Sequence, residues 1–237
     1  MKLRQVYDAL EHLHLAVLAL SSEGAGIAGI DIPKINIGIN QALTDIYNDF
    51  DVKTDEIILR LFNDRTFYKL TSDFADSNEE SLEIIKWIID SPEKPFKDDI
   101  KYIRRVSAPC CEYIGLNDHT YCESVFTPSH NTLQINKSVI NKYKYLSLVY
   151  VANPILIPTN TDLDIDTIDI DLPQNMFNLL VLGACGYIFG AQGGKDSYYK
   201  SMQYKQQYEL EKNKLINTGM YSESSQDNDN FNKDGWK

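Results

Sequence analysis

Apolar side chains recur every three or four residues at the start of the chain: Leu3, Val6, Tyr7, Leu10, Leu13, Val17 and Leu20, with Asp8, Glu11 and His12 between them. That period puts them on one stripe of an amphipathic helix over residues 2–20. Ser21-Ser22-Glu23-Gly24 ends it, and a glycine-rich loop runs to Pro33. The period returns in Ile35, Ile39, Leu43, Ile46, Tyr47 and Phe50, which predicts a second helix over 35–50.

From Thr54 the pattern changes. Residues 56–62 and 66–70 read as two strands about the polar turn Asn63-Asp64, a hairpin. The run 79–90, with Leu82, Ile84, Ile85, Trp87, Ile88 and Ile89, is so uniformly apolar that it fits a short helix or a strand, and helix is preferred. Strands are predicted at 99–107, 121–127, 132–136 and 145–152 between turn-rich stretches, which makes the middle an antiparallel sheet, sandwich or small barrel.

At Asp171-Leu172-Pro173-Gln174 the signals turn helical again. Asp171 is placed as N-cap, Gln174 stands three residues on as in a capping box, and Pro173 lies in the first turn where no donor is missed. Residues 176–189 are apolar almost all round and predict a buried helix, on which Gly183, Ala184 and Gly186 allow another helix to approach closely. Gly190 to Gly194 break it. A last helix over 195–216 carries Tyr198, Tyr199, Met202, Tyr204, Tyr208 and Leu215 among Lys, Gln and Glu, and Asn217-Thr218-Gly219 ends it.

These elements make an α+β protein. A helical bundle comes from residues 1–52 and 171–217, a β-rich insertion from 53–170, and a disordered or extended tail from 218–237. The tail is rich in Ser, Asp and Asn and buries too little to order itself; its aromatic exceptions, Phe231 and Trp236, are the candidate partner-docking residues. There is no internal repeat.

Composition narrows the class. A chain of 237 residues with 43% hydrophobic and 24% charged content is globular and large enough to fold without metal or disulfide. The net charge of −11, with no run of five Lys or Arg, disfavours tight nucleic-acid binding, while an acidic surface lets DNA pass without sticking. The four cysteines, with no signal-peptide pattern before them, read as reduced thiols of a protein made in a cytoplasm. The apolar run 179–191 is interrupted by Gly183, Gly186 and Gly190 and falls short of the ~20 residues a membrane span needs.

Motifs for chemistry are incomplete. Gly24-Ala25-Gly26-Ile27-Ala28-Gly29 has dinucleotide-loop spacing, but an amphipathic helix precedes it where a strand belongs. Gly193-Gly194-Lys195 resembles a phosphate loop, yet Phe189 stands at the first glycine position and Asp196 where Ser or Thr would hold magnesium. Asp162, Asp164 and Asp166 have calcium-loop spacing, with Thr167 at the glycine position and Pro173 at the bidentate glutamate position. They read as water-facing residues of a segment whose Leu163 and Ile165 pack inward. Cys110, Cys111, His119, Cys122 and His130 form a cluster for which buried structural thiols, a zinc-stabilised binding module and a Cys–His hydrolase are the alternatives, structural thiols being preferred. No catalytic, metal or cofactor-binding residue is assigned.

The order of segments carries a likeness. A β-rich middle closes on Asn131-Thr132-Leu133-Gln134-Ile135; Tyr145-Leu146-Ser147-Leu148-Val149-Tyr150-Val151-Ala152-Asn153-Pro154 follows, then an acidic linker, Asp171-Leu172-Pro173, a buried helix and a Tyr-rich final helix. Over residues 130–216 this resembles the tail tubular protein A-like and head-to-tail adaptor ring proteins of tailed phages. The resemblance implies a virion structural protein without catalytic residues or cofactors. Its copies would form a closed ring, commonly of twelve, beneath the portal. Expected partners are the portal protein, other neck or tail rings and tail-tube or nozzle proteins, with double-stranded DNA passing through the lumen without sequence-specific contact.

Overall fold

A helix apolar on every side needs partners on every side, and the helix Phe177–Gln192 obtains them through its small residues. In the computed structural model, which describes residues 1–14, 32–109, 112–120, 123–160 and 164–218 apart from the side chains of 13 and 14, this helix is α4. The others are α1 (Leu3–Ala9, continued by a π-helical turn at Leu10–His14), α2 (Ile32–Asp49), α3 (Lys137–Lys142) and α5 (Lys195–Asn217). The strands are β1 (Thr54–Arg60), β2 (Phe67–Lys69), β3 (Ile88–Ile89), β4 (Ile100–Ser107), β5 (Tyr113–Ile114), β6 (Val125–Ser129), β7 (Thr132–Ile135) and β8 (Tyr145–Ala152). The protein is α+β, and every pairing between these strands is antiparallel.

Two compact units result, one from Met1–Val52 and Pro154–Lys237, the other from Lys53–Asn153. In the first, Ile35, Ile39, Leu43, Ile46, Tyr47 and Phe50 are all buried as their spacing predicts, in one core with Leu3, Val6, Leu10 and the apolar residues of α4. Glycines set how closely the helices approach. A Cβ on Gly38 would lie 2.7 Å from Ile188 Cγ1, and one on Gly183 2.9 Å from Ala42 Cβ and 3.3 Å from the Tyr208 ring. Ser201 of α5 donates its hydroxyl to the Gly186 carbonyl at 2.7 Å, so the polar atom that faces α4 is satisfied. Between α4 and α5, Gly193 and Gly194 adopt φ of 71° and 87°, which L-residues rarely take, and make a sharp corner.

In the second unit β3-β1-β8-β4-β5 form a five-stranded sheet and β2-β7-β6 a three-stranded one. Alternation sends Leu146, Leu148 and Tyr150 of β8 to one side, level with Leu59, Ile57 and Ile103 of the neighbouring strands. These residues share one core with Tyr68, Val125, Leu133 and Ile135 of the smaller sheet.

Several expectations are corrected. The strands before and after Asn63-Asp64 do not pair as a hairpin: β1 lies between β3 and β8, and β2 pairs with β7. The turn itself forms, with the Arg65 N–H on the Phe62 carbonyl at 3.2 Å and the Tyr68 hydroxyl engaging the backbone of Phe62 and Arg65, but β2 takes β7 as its partner. Residues 79–90 are not a helix; they end in the short strand β3, only Trp87 and Ile88 are buried, and Glu79, Glu80 and residues 82–85 are exposed. The strand expected at 121–127 is β6, Val125–Ser129. The helix expected from Asp171 begins at Phe177 after a 3-10 turn at Gln174–Met176, with no side-chain cap, and Asp171 instead offers its carbonyl to the Tyr47 hydroxyl.

Residues 154–170, expected with the strands, belong to the helical unit. Ile157 and Ile170 join its core, and the Leu3 N–H bonds the Ile168 carbonyl at 3.0 Å. Asn36 and Asn40, one turn apart on α2, clamp the segment by hydrogen bonds to Pro158 and Ile157. Within it Asp164 caps a turn by accepting the Asp166 N–H at 3.1 Å, while Asp166 lies 3.8 Å from Arg4. Both aspartates are exposed and Ile165 packs against the core.

Candidate functional site

A protruding arm is built at residues 79–86 of the β unit. Its base is Trp87, a buried indole stacked on Phe74 at 3.7 Å, edge-on to Tyr68 at 5.8 Å, with its N–H on the Lys69 carbonyl at 2.8 Å. Above it the chain is held by its own hydrogen bonds. The Ser81 hydroxyl donates to the Asp73 carbonyl at 2.7 Å and accepts the Glu83 N–H at 3.2 Å, and the Lys86 ammonium donates to the Asn78 carbonyl. The tip therefore has a defined shape, and on it Leu82 is 98% and Ile84 97% exposed, among exposed Glu79, Glu80, Glu83 and Ile85. Withdrawing two such side chains from water yields about 1.5–3 kcal/mol each, so the pair marks a surface on which a partner would gain.

The helical unit has unfinished surface of its own. Helix α5 buries Ser201, Tyr208 and Leu215 and leaves Tyr199, Met202 and Leu210 exposed at three- and eight-residue spacing, with Tyr198 beside them. Between the start of α2 and the end of α4 lies a groove of about 420 Å³ lined by Ile35, Ile37, Gly38, Tyr187, Ile188 and Ala191, with Lys34 at its edge. Tyrosine and methionine suit surfaces that must be both soluble and adhesive.

The thiol–imidazole cluster does not come together as a described site. Cys110, Cys111 and Cys122 lie outside the described residues, as do the Gly24–Gly29 string, Asp162, Leu163, Phe231 and Trp236. His119 stacks on Phe126 at 4.7 Å and lines a shallow hollow of about 460 Å³ with Asn117, Thr127 and Gln134, while His130 is exposed at the β6–β7 turn. Among the described residues no group of three or more His, Cys, Asp or Glu is placed to hold a metal, and no helix is long and apolar enough to cross a membrane. Cys185 sits inside α4, where burial pushes its thiol up to about 12 and keeps it neutral. Gly193-Gly194-Lys195 forms the corner between α4 and α5.

A second hollow in the β unit, about 360 Å³, is lined in part by Asp55, Asp90, Lys94 and Tyr150. Its carboxylates are already spent on structure: Asp55 pairs with Lys94 at 2.5 Å, and Asp90 accepts the Ser77 N–H at 2.8 Å, the Ser77 hydroxyl at 2.5 Å and the Phe96 N–H at 2.9 Å. Burial alone would raise the Asp90 pKa, but these bonds, led by the Ser77 hydroxyl, outweigh it and hold the carboxyl below its ordinary value of 3.8. A depressed folded-state pKa stabilises the protein above the unfolded pKa, and that stability is lost as pH falls through the folded one. Asp90→Asn is expected to cost about 1–2 kcal/mol at neutral pH. In urea titrations its deficit should shrink as pH drops from about 6 toward 2; a deficit constant with pH would exclude the carboxylate as its source.

The arm's tip is what sequence reasoning missed. Its signal is in the composition: Ile84, Ile85, Ile88 and Ile89 are β-branched and favour extended backbone, although Glu79, Glu83, Lys86 and Asp90 at helical spacing point the other way. Comparison with known proteins adds no family: no protein-family model matches the chain, and no curated protein matches its sequence.

Proposed function

We propose that this chain is a non-catalytic virion subunit, a head-to-tail connector whose copies close into a ring at the neck or upper tail of a podovirus-like tailed phage and surround the DNA channel. The observation that carries the reading is the pair Leu82 and Ile84, 98% and 97% exposed on an arm held in shape by its own hydrogen bonds. Two large aliphatic side chains held close together in water offer an apolar surface that a partner can cover. The exposed Tyr199, Met202 and Leu210 of α5 support the same view from the helical unit.

In this reading the helices form a bundle that lies against neighbouring copies, the inserted β unit meets other neck or tail components, and the C-terminal residues, extended, carry Phe231 and Trp236 to a partner. The net charge of −11 suits a lumen through which DNA slides, because carboxylates repel phosphates. The partners are further copies of the chain, the portal protein and tail rings.

Sedimentation velocity and negative-stain imaging of the full chain, alone and with purified portal complexes, test this. Closed rings are the expected result. A chain that stays monomeric at its solubility limit and does not join portal or tail assemblies would sink the reading.

A further inference from the structure

The five-stranded sheet carries an acidic arm at one edge and two arginines without an acid partner toward the other. The arm, residues 79–86, leads into the edge strand β3. Around its exposed Leu82 and Ile84 stand the exposed Glu79, Glu80 and Glu83, whose carboxylates are unpaired among the described residues. Strand β4, beside the opposite edge strand β5, slips register on β8 between Ile103 and Arg105. Such a bulge inserts an extra residue and re-aims side chains. Here Ile103 and Val106 stay in the core while the adjacent Arg104 and Arg105 both come out into solvent, and neither meets a carboxylate among the described residues. Arg105 stands level with Val149 of β8 and Glu56 of β1, and Glu56 already accepts the Ser147 hydroxyl. The next row across the same face runs Ile58, Ser147, Ser107, Tyr113 and ends on both sides in exposed apolar surface.

We propose that the arm of one copy seats on this sheet face of the next copy, with its glutamates on Arg104 and Arg105 and with Leu82 and Ile84 on the surface between Val149 and Tyr113. This deepens the ring reading and rests on it. Charge names the occupant. In a chain of net charge −11, two adjacent arginines have no acid of their own and three free carboxylates flank an exposed aliphatic pair, so each surface supplies what the other lacks. The planar guanidinium fork matches a carboxylate bidentately. Within one copy the two surfaces stay apart: β1 and β8 separate β3 from β4, a distance of roughly 14 Å at the usual spacing of strands. The Ser81 hydroxyl also ties the arm to the Asp73 carbonyl at 2.7 Å, and this fixed shape lowers the ordering cost of binding. Donor and acceptor lie toward opposite sides of one sheet, so the contact is heterologous and passes from copy to copy in one direction until a ring closes.

Two charge-reversed variants of the full chain test it, both at exposed positions: Glu79→Lys with Glu80→Lys and Glu83→Lys in the arm, and Arg104→Glu with Arg105→Glu on the sheet face. Circular dichroism checks the fold, and sedimentation velocity reads assembly, with portal complexes added if the wild type needs them. Each variant alone sets like charges against each other, so its assembly should need at least about tenfold more protein than the wild type. An equimolar mixture should assemble as the wild type does, because each reversed arm then meets a reversed face and each native arm a native face. Misfolded chains cannot give that rescue. If the wild type assembles and either variant assembles equally well, the contact is wrong and the ring reading survives. If both variants fail and their mixture fails too, the arm and the arginines serve other partners and the proposal is overturned. A wild type that never assembles removes the ring reading and this contact together.

Discussion

Trp87→Ala is expected to lower the stability of the β unit by about 4 kcal/mol, because a buried indole is lost and its space does not refill. The estimate is at the upper end for one residue because Trp87 combines three interactions. Phe74 stacks on one face at 3.7 Å, the Arg65 guanidinium lies 4.6 Å from the ring centre, and the indole N–H satisfies the Lys69 carbonyl at 2.8 Å. For a unit of this size the loss corresponds to a fall in unfolding midpoint on the order of 20 °C. Differential scanning calorimetry should show it in one of two transitions, since Trp87 belongs to the unit Lys53–Asn153 and its core. Trp87→Phe keeps much of the stacking and loses the hydrogen bond, so it should cost less than half as much. A midpoint for the alanine variant within a few degrees of wild type would refute the anchor role. Because Trp87 is also the base of the arm, hydrogen exchange at residues 79–86 should accelerate in the same variant.

That coupling explains what could and could not be read from the sequence. Helix α2 was legible because its core contacts repeat with the helical period and involve residues near in sequence: Ile35, Ile39, Leu43 and Ile46 stand three or four apart. Helix α4 was legible as a buried element because no polar face interrupts it, and Gly183 and Gly186 do meet α2 and α5 side chains. Strands β4, β7 and β8 were legible by run length. What failed was pairing. The turn at Asn63-Asp64 looks local, but β1 finds its partner at β8, almost a hundred residues on, and only the buried faces of both sheets decide that. The capping signal at Asp171-Leu172-Pro173-Gln174 failed for a related reason: Tyr47 of α2 takes the Asp171 carbonyl, and the chain stays extended for a few residues before turning helical.

The candidate site was less legible than the fold. Leu82 and Ile84 look like core residues by type, and their exposure follows from where β3 begins, at Ile88, which no local pattern announces. The groove joins the start of α2 to the end of α4, two segments far apart in the sequence. Aromatic residues of the final helix were read correctly as a group, yet that group divides: Tyr208 is buried and donates to Asp49 at 3.3 Å, whereas Tyr198 and Tyr199 are exposed. Helical period separates the two sets, and only the position of α4 says which of them is inside.

Asn36→Leu is the second substitution expected to be severe, at about 3 kcal/mol. Asn36 is fully buried on α2; its carbonyl accepts the Tyr7 hydroxyl at 2.7 Å and its amide donates to the Pro158 carbonyl at 2.8 Å. Burial drives the Tyr7 pKa well above the ordinary tyrosine value, so the hydroxyl stays protonated and must donate to something. Leucine fits the helix but leaves both partners unsatisfied inside the protein, at about 1–3 kcal/mol for each. Tyr7→Phe orphans only the Asn36 oxygen and should cost roughly half as much. The double variant should be markedly less than additive, since removing both ends of one hydrogen bond leaves a single unpaired group. Urea unfolding of the four proteins measures the coupling. The clamp also predicts a local effect: Asn40 holds the backbone N–H and carbonyl of Ile157, each at 2.8 Å, so freeing Pro158 should loosen residues around 158 while 157 stays protected. An Asn36→Leu protein within 0.5 kcal/mol of wild type, or one additive with Tyr7→Phe, would mean that water reaches these groups and that the segment is held by its apolar contacts alone.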